Sequence, residues 1–116
     1  MTAQEYQTTV DAINENRRKL QTQVELMKKL TAQKSENESV KKEFETLTED
    51  AVIWKQVGPL MVKQDREDAK ANVDKRIEFI NNDVLATEEK IKILENEFEE
   101  KRAILMKFQE QANQQE

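Results

Sequence analysis

Apolar side chains in the first half of the chain recur at alternating intervals of four and three. They are Tyr6, Val10, Ile13, Leu20, Val24 and Met27, with Arg17 and Thr31 holding the intervening places. That spacing marks a heptad seam, a narrow apolar stripe by which one helix packs on another. The rhythm loses phase in QKSENES, residues 33–39, and returns as Val40, Phe44 and Leu47. The second half keeps the interval throughout: Val73, Ile77, Ile80, Val84, Thr87, Ile91, Leu94, Phe98, Lys101, Leu105, Phe108 and Ala112. No Gly or Pro interrupts either run, so the pattern predicts helices over about 3–49 and about 66–113. Thr2 and Glu5 have capping-box spacing at the first start. Asp65 stands as N-cap of the second helix, with Asp68 three residues on to complement the helix dipole.

Between the helices lies VIWKQVGPLMVK, residues 52–63, where β-branched and apolar residues crowd around the only glycine and the only proline. This stretch predicts a β-hairpin of strands 52–57 and 60–63. Gly58 supplies the positive φ of a type II′ turn and Pro59 the fixed φ that follows it. One face carries Ile53, Val57, Leu60 and Val62 with Lys55; the other carries Val52, Trp54 and Met61 with Gln56 and Lys63.

A reversal at Gly58–Pro59 folds the two seams onto each other. The expected pairs are Tyr6 with Ala112, Val10 with Phe108, Ile13 with Leu105, Leu20 with Phe98, Val24 with Leu94 and Met27 with Ile91. Arg17 then faces Lys101 and Thr31 faces Thr87. Past the phase slip, Val40 meets Ile77 and Phe44 meets Val73. The predicted fold class is therefore mainly α: a long antiparallel two-helix coiled coil joined by one central hairpin, in a single domain over 1–116. An intertwined dimer with arms paired between chains preserves the same pairings.

A lone two-stranded hairpin is marginal in water and leaves both edges unpaired. Two thin helices do not cover it. The hairpin is therefore expected to pair with other hairpins and serve as an assembly module.

Composition agrees with thin helices and narrows the function. Of 116 residues, 36% are hydrophobic and 37% charged, too polar for a compact globule. The net charge of −5 and the lack of a basic run interleaved with aromatics argue against nucleic-acid binding. No apolar run is long enough to span a membrane, and no signal peptide is evident, so a cytoplasmic location is expected. His and Cys are absent, which removes the commonest general base, the thiol nucleophile and the usual transition-metal ligands. Ser35 and Ser39 have no base partner, and one glycine cannot build a phosphate-cradling loop. No enzyme activity, cofactor or metal site is expected. Asp65, Glu67 and Asp68 read as a helix cap rather than a metal site.

The stretch VIWKQVGPLMVKQDREDAKANVDKRIEFI, residues 52–80, resembles the hairpin and following helix of β-class prefoldin subunits. Elsewhere the resemblance is one of architecture, a coiled coil with one hairpin rather than the two of α-class subunits. The resemblance implies a heterohexamer of two α-class and four β-class subunits, with a barrel platform of hairpins and coiled coils hanging from it. It further implies ATP-independent capture of unfolded chains, actin and tubulin among them, and their transfer to the cytosolic chaperonin. Assembly would fall on Val52, Ile53, Trp54, Val57, Gly58, Pro59, Leu60, Met61 and Val62.

Client contact is expected at the ends of the helices: Met1, Tyr6, Ile104, Met106 and Phe108. Tyr6 and Phe108 also belong to the seam and so have a packing role. Ile104 and Met106 lie off it, and flexible Met suits promiscuous contact. Glu88, Glu89, Glu95, Glu97, Glu99 and Glu100 read as a solvated helix face with Lys92 and Lys101 nearby. The end, QEQANQQE, reads as a fraying terminus. A competing reading is a structural adaptor or tether that self-associates through its hairpin and binds no client.

Overall fold

The computed structural model describes residues 1–114; Gln115 and Glu116, the last two of the expected fraying end, lie outside the described residues. The order is helix α1 (Ala3–Thr46), strands β1 (Ile53–Val57) and β2 (Leu60–Gln64), and helix α2 (Arg66–Gln114). The main chain of Thr2 donates to Glu5 Oε2 (2.9 Å) and that of Glu5 to Thr2 Oγ1 (3.1 Å), a reciprocal capping box. α1 stops at Thr46, earlier than the spacing predicts. Two short turns close there, through Leu47 N to Phe44 O and Ala51 N to Thr48 O. Asp65 caps α2 by accepting from Asp68 N at 3.3 Å, while its carbonyl takes Ala69 N at 2.9 Å. Glu67 and Asp68 stand in the first turn of α2, at the positive end of the helix dipole.

The chain divides into two compact units. The first holds Met1–Lys28 and the chain from Ala86 onward. Its seam is drawn from Ile13, Asn16, Leu20 and Met27 of α1 and from Thr87, Ile91, Leu94, Phe98 and Leu105 of α2, all buried or half-buried. The Tyr6 and Phe108 rings pack with centroids 5.2 Å apart, and Gln109 Nε2 donates to Tyr6 Oη. The Arg17 guanidinium lies 5.3 Å from the Phe98 ring centroid, in cation–π range.

These contacts correct the expected register. Tyr6 meets Phe108, not Ala112, and Ala112 is exposed; Arg17 meets Phe98, not Lys101. α1 is also turned slightly from the expected face. Asn16, 4% exposed, and the half-buried Gln23 take inward places where Arg17 and Val24 were expected, and both of those are exposed. Asn16 is held there by donating to Leu94 O (3.1 Å) and to Glu97 Oε2 (3.4 Å). An amide can be buried with two acceptors at less cost than a guanidinium.

The second unit, Lys29–Leu85, contains the hairpin and the helix segments flanking it. Leu30, Ala69, Val73 and Ile80 are its buried apolar residues. Leu30 takes the inward place expected for Thr31, which is exposed. The anticipated loss of phase is a polar stretch of the same face. Gln33, Lys34 and Asn37 are half-buried, followed by Val40, Phe44 and Leu47. Phe44 and Val73 line the same two grooves, and Lys41 Nζ pairs with Asp74 Oδ1 at 3.0 Å. Arg66 donates to Thr48 O, tying the start of α2 to the chain just past α1.

Candidate assembly surface

The hairpin is built around its turn. Val57 pairs with Leu60, leaving Gly58 and Pro59 as a two-residue loop, and Gly58 has φ +58°. That φ followed by proline is what a type II′ turn requires, and its twist matches that of the strands it joins. The register then runs Gln56 with Met61, Lys55 with Val62, Trp54 with Lys63 and Ile53 with Gln64. Val52 precedes the first paired residue, and Gln64 extends the second strand by one place beyond the expected span.

Alternation along the strands divides the side chains as the sequence suggests. Ile53, Val57, Leu60 and Val62 share one face with Lys55; Trp54 and Met61 share the other with Gln56 and Lys63. Lys63 Nζ lies 5.7 Å from the Trp54 ring centroid. The sheet has two strands, so each has a free edge of unpaired N–H and C=O groups. Val52, Trp54, Val57, Leu60, Met61 and Val62 are all about half or more exposed, Leu60 at 65%. Exposed apolar side chains on both faces, together with open strand edges, can add strands and close a core with another chain.

The expected client residues are placed in two ways. Met1, Ile104 and Met106 are each about half exposed. Tyr6 and Phe108 are half-buried against each other. Phe79 and Leu85, outside the expected site, are among the most exposed large hydrophobic side chains in the protein. They stand off the seam spacing of α2, the same signal that marked Ile104 and Met106. The acidic positions Glu88, Glu89, Glu95, Glu97, Glu99 and Glu100 are all exposed. Arg102 pairs with Glu99, one turn away. Among the described residues, no group of three carboxylate, His or Cys side chains converges as metal ligands would. Among them too, no helix is long and apolar enough to cross a membrane.

Comparison with known proteins places this architecture. A family model described as prefoldin subunit matches residues 7–112. Prefoldin subunit 6 of Arabidopsis thaliana is 43% identical over 86 residues, 74% of this chain and 67% of that protein. The subunit 6 of Saccharomyces cerevisiae is 36% identical over 80 residues, 69% of this chain and 70% of its own. The human subunit 6 is 36% identical over 83 residues, 72% and 64%. The crystal structure of the prefoldin beta subunit from Thermococcus strain KS-1 superposes with a TM-score of 0.82. It is 27% identical and covers 89% of this chain and 90% of that one. Prefoldin subunits are chaperones rather than enzymes, and their partners are other prefoldin subunits. With one hairpin between two heptad helices and these relatives, the chain belongs to the prefoldin family, as a β-class chaperone subunit similar to subunit 6.

Proposed function

We propose that this chain is one of four β-class subunits in a cytoplasmic heterohexamer with two α-class subunits. The hexamer captures unfolded nascent polypeptides, of the actin and tubulin class, and passes them to the cytosolic chaperonin without ATP. Assembly runs through the hairpin, and capture through side chains at the far ends of the helices. The observation that carries this reading is the hairpin's pair of open edges beside exposed Trp54, Leu60 and Met61. Such a surface is stable only when covered by further strands. For capture, Met1, Ile104 and Met106 offer exposed, adaptable apolar contacts.

The test is to co-express the chain with its sibling subunits and weigh the purified complex. A hexamer of distinct subunits is the expected result. A homodimer at twice the chain's 13.7 kDa, without companions, would instead support a self-associating tether. In the hexamer, replacing Ile104 and Met106 together by Ser is expected to weaken suppression of client aggregation severalfold with assembly intact. Unchanged suppression would remove these residues from the client site.

A further inference from the structure

Two grooves of the hairpin-bearing unit meet at one residue. The first is bounded by Ile53, Trp54, Lys55 and Gln56 of β1, by Val73, and by Arg76 of α2. The second is bounded by Gln33 and Asn37 of α1 and by Arg76, Phe79 and Ile80 of α2. Arg76 lines both, so the strip runs from β1 along the helix pair to Phe79. Phe79 is 69% exposed, the most exposed large hydrophobic side chain in the protein.

The strip carries positive charge alone. The chain has 24 acidic residues against 19 basic. Yet neither groove has a carboxylate on its walls; their only charged groups are Lys55 and Arg76. No acidic residue stands three or four positions from Arg76, where Asn72, Val73, Phe79 and Ile80 are found. Arg76 makes no ion pair among the described residues. An unpaired arginine beside an exposed aromatic ring is the composition of an interface centre.

We infer that this strip is a second contact by which a neighbouring prefoldin subunit docks, through a helix segment carrying an apolar side chain flanked by carboxylates. The inference rests on the assembly reading above and extends it beyond the hairpin. Continuity selects the occupant. A strand added at the free edge of β1 lies beside Ile53, Trp54, Lys55 and Gln56, which are themselves the near wall of the groove. The element that continues from that strand is then led along Arg76 to Phe79. The absence of acid on the walls selects a partner that brings its own.

The experiment uses the full hexamer reconstituted with siblings. Three forms are compared: wild type, the strip variant Arg76→Glu with Phe79→Ala, and the hairpin variant Leu60→Asp. The strip variant is expected to assemble into hexamers that dissociate on dilution roughly tenfold more readily by native mass spectrometry. Raising salt is expected to weaken wild type toward the variant. Client capture per intact hexamer should be unchanged. A photo-crosslinker at position 79 is expected to capture one sibling subunit. Unchanged dissociation, or crosslinks to client alone, would overturn the inference. If the Leu60→Asp chain assembles as wild type does, the hairpin reading itself fails, which is a separate result. Both side chains of the strip are exposed, so an unchanged melting curve will confirm that the variant folds.

Discussion

Leu60 on the hairpin is 65% exposed, whereas Ile80 on the adjoining helix is 8% exposed. Both belong to the same compact unit and have similar side chains. The helix pair satisfies its own backbone and hides its apolar stripe with a partner from the same chain. The hairpin has only one strand of partner, and apart from Ile53 and Gln64 its side chains are exposed. The difference shows that burial here follows from the number of neighbours an element can recruit within the chain, not from hydrophobicity. What the chain leaves uncovered it leaves for other chains.

The largest effect is expected at the hairpin. Replacing Leu60 by Asp is expected to abolish entry into the hexamer while leaving the helical circular dichroism of the chain intact, because the side chain is exposed in the isolated subunit. A parallel loss of helix would show that the hairpin holds the helix pair together. Replacing Ile80 by Ala should do the reverse: assembly is retained, and the chain is destabilised by about 2–3 kcal/mol in a urea titration.

A smaller effect is expected at Gly58. Any side chain there must sit at φ +58°, so Gly58→Ala should cost about 1–2 kcal/mol, read as a lowered assembly midpoint. Asn16→Leu tests the helix pair. The Oδ1 of Asn16 is buried without a hydrogen-bond partner, so an isosteric apolar replacement is expected to raise stability by about 1 kcal/mol. It should also loosen the register, since the bonds to Leu94 and Glu97 are lost. Double electron–electron resonance between spin labels at positions 9 and 107 would then show a second distance.

The smallest effect is electrostatic. A hydrogen bond from Arg18 holds the Glu15 carboxyl below its usual range. A lowered folded value means that its contribution is present at neutral pH and is lost as pH falls through the acid range. Both groups are exposed, so Arg18→Ala should move the Glu15 titration upward by NMR without shifting the melting temperature at neutral pH.

α2 was legible almost residue by residue, because its inward positions from Val73 to Leu105 are nearly all apolar. α1 was legible at Tyr6, Val10, Ile13, Leu20 and Met27 and again at Val40 and Phe44, with Leu47 just past its end, all buried or half-buried. After Ile13, Leu20 and Met27 the alternate places could fall three residues on, at Asn16, Gln23 and Leu30, or four residues on, at Arg17, Val24 and Thr31. Each set mixes polar with apolar side chains, so hydrophobic counting could not choose. Phe79 was not legible as a contact residue, because a single apolar residue off the seam is ordinary on a helix surface; its meaning comes from the acid-free groove beside it.

The sequence by itself determined the element types, the two helix starts, the turn at Gly58–Pro59 and the two faces of the hairpin. All of these are local: they depend on side-chain period, capping chemistry and the φ of one glycine. Only the tertiary structure decided the register of the helices and the face α1 turns inward. Those depend on whether a carbonyl at Leu94 and a ring at Phe98 are available to Asn16 and Arg17. A helix offers nearly equivalent faces 100° apart, and it is the partner's surface that separates them in energy.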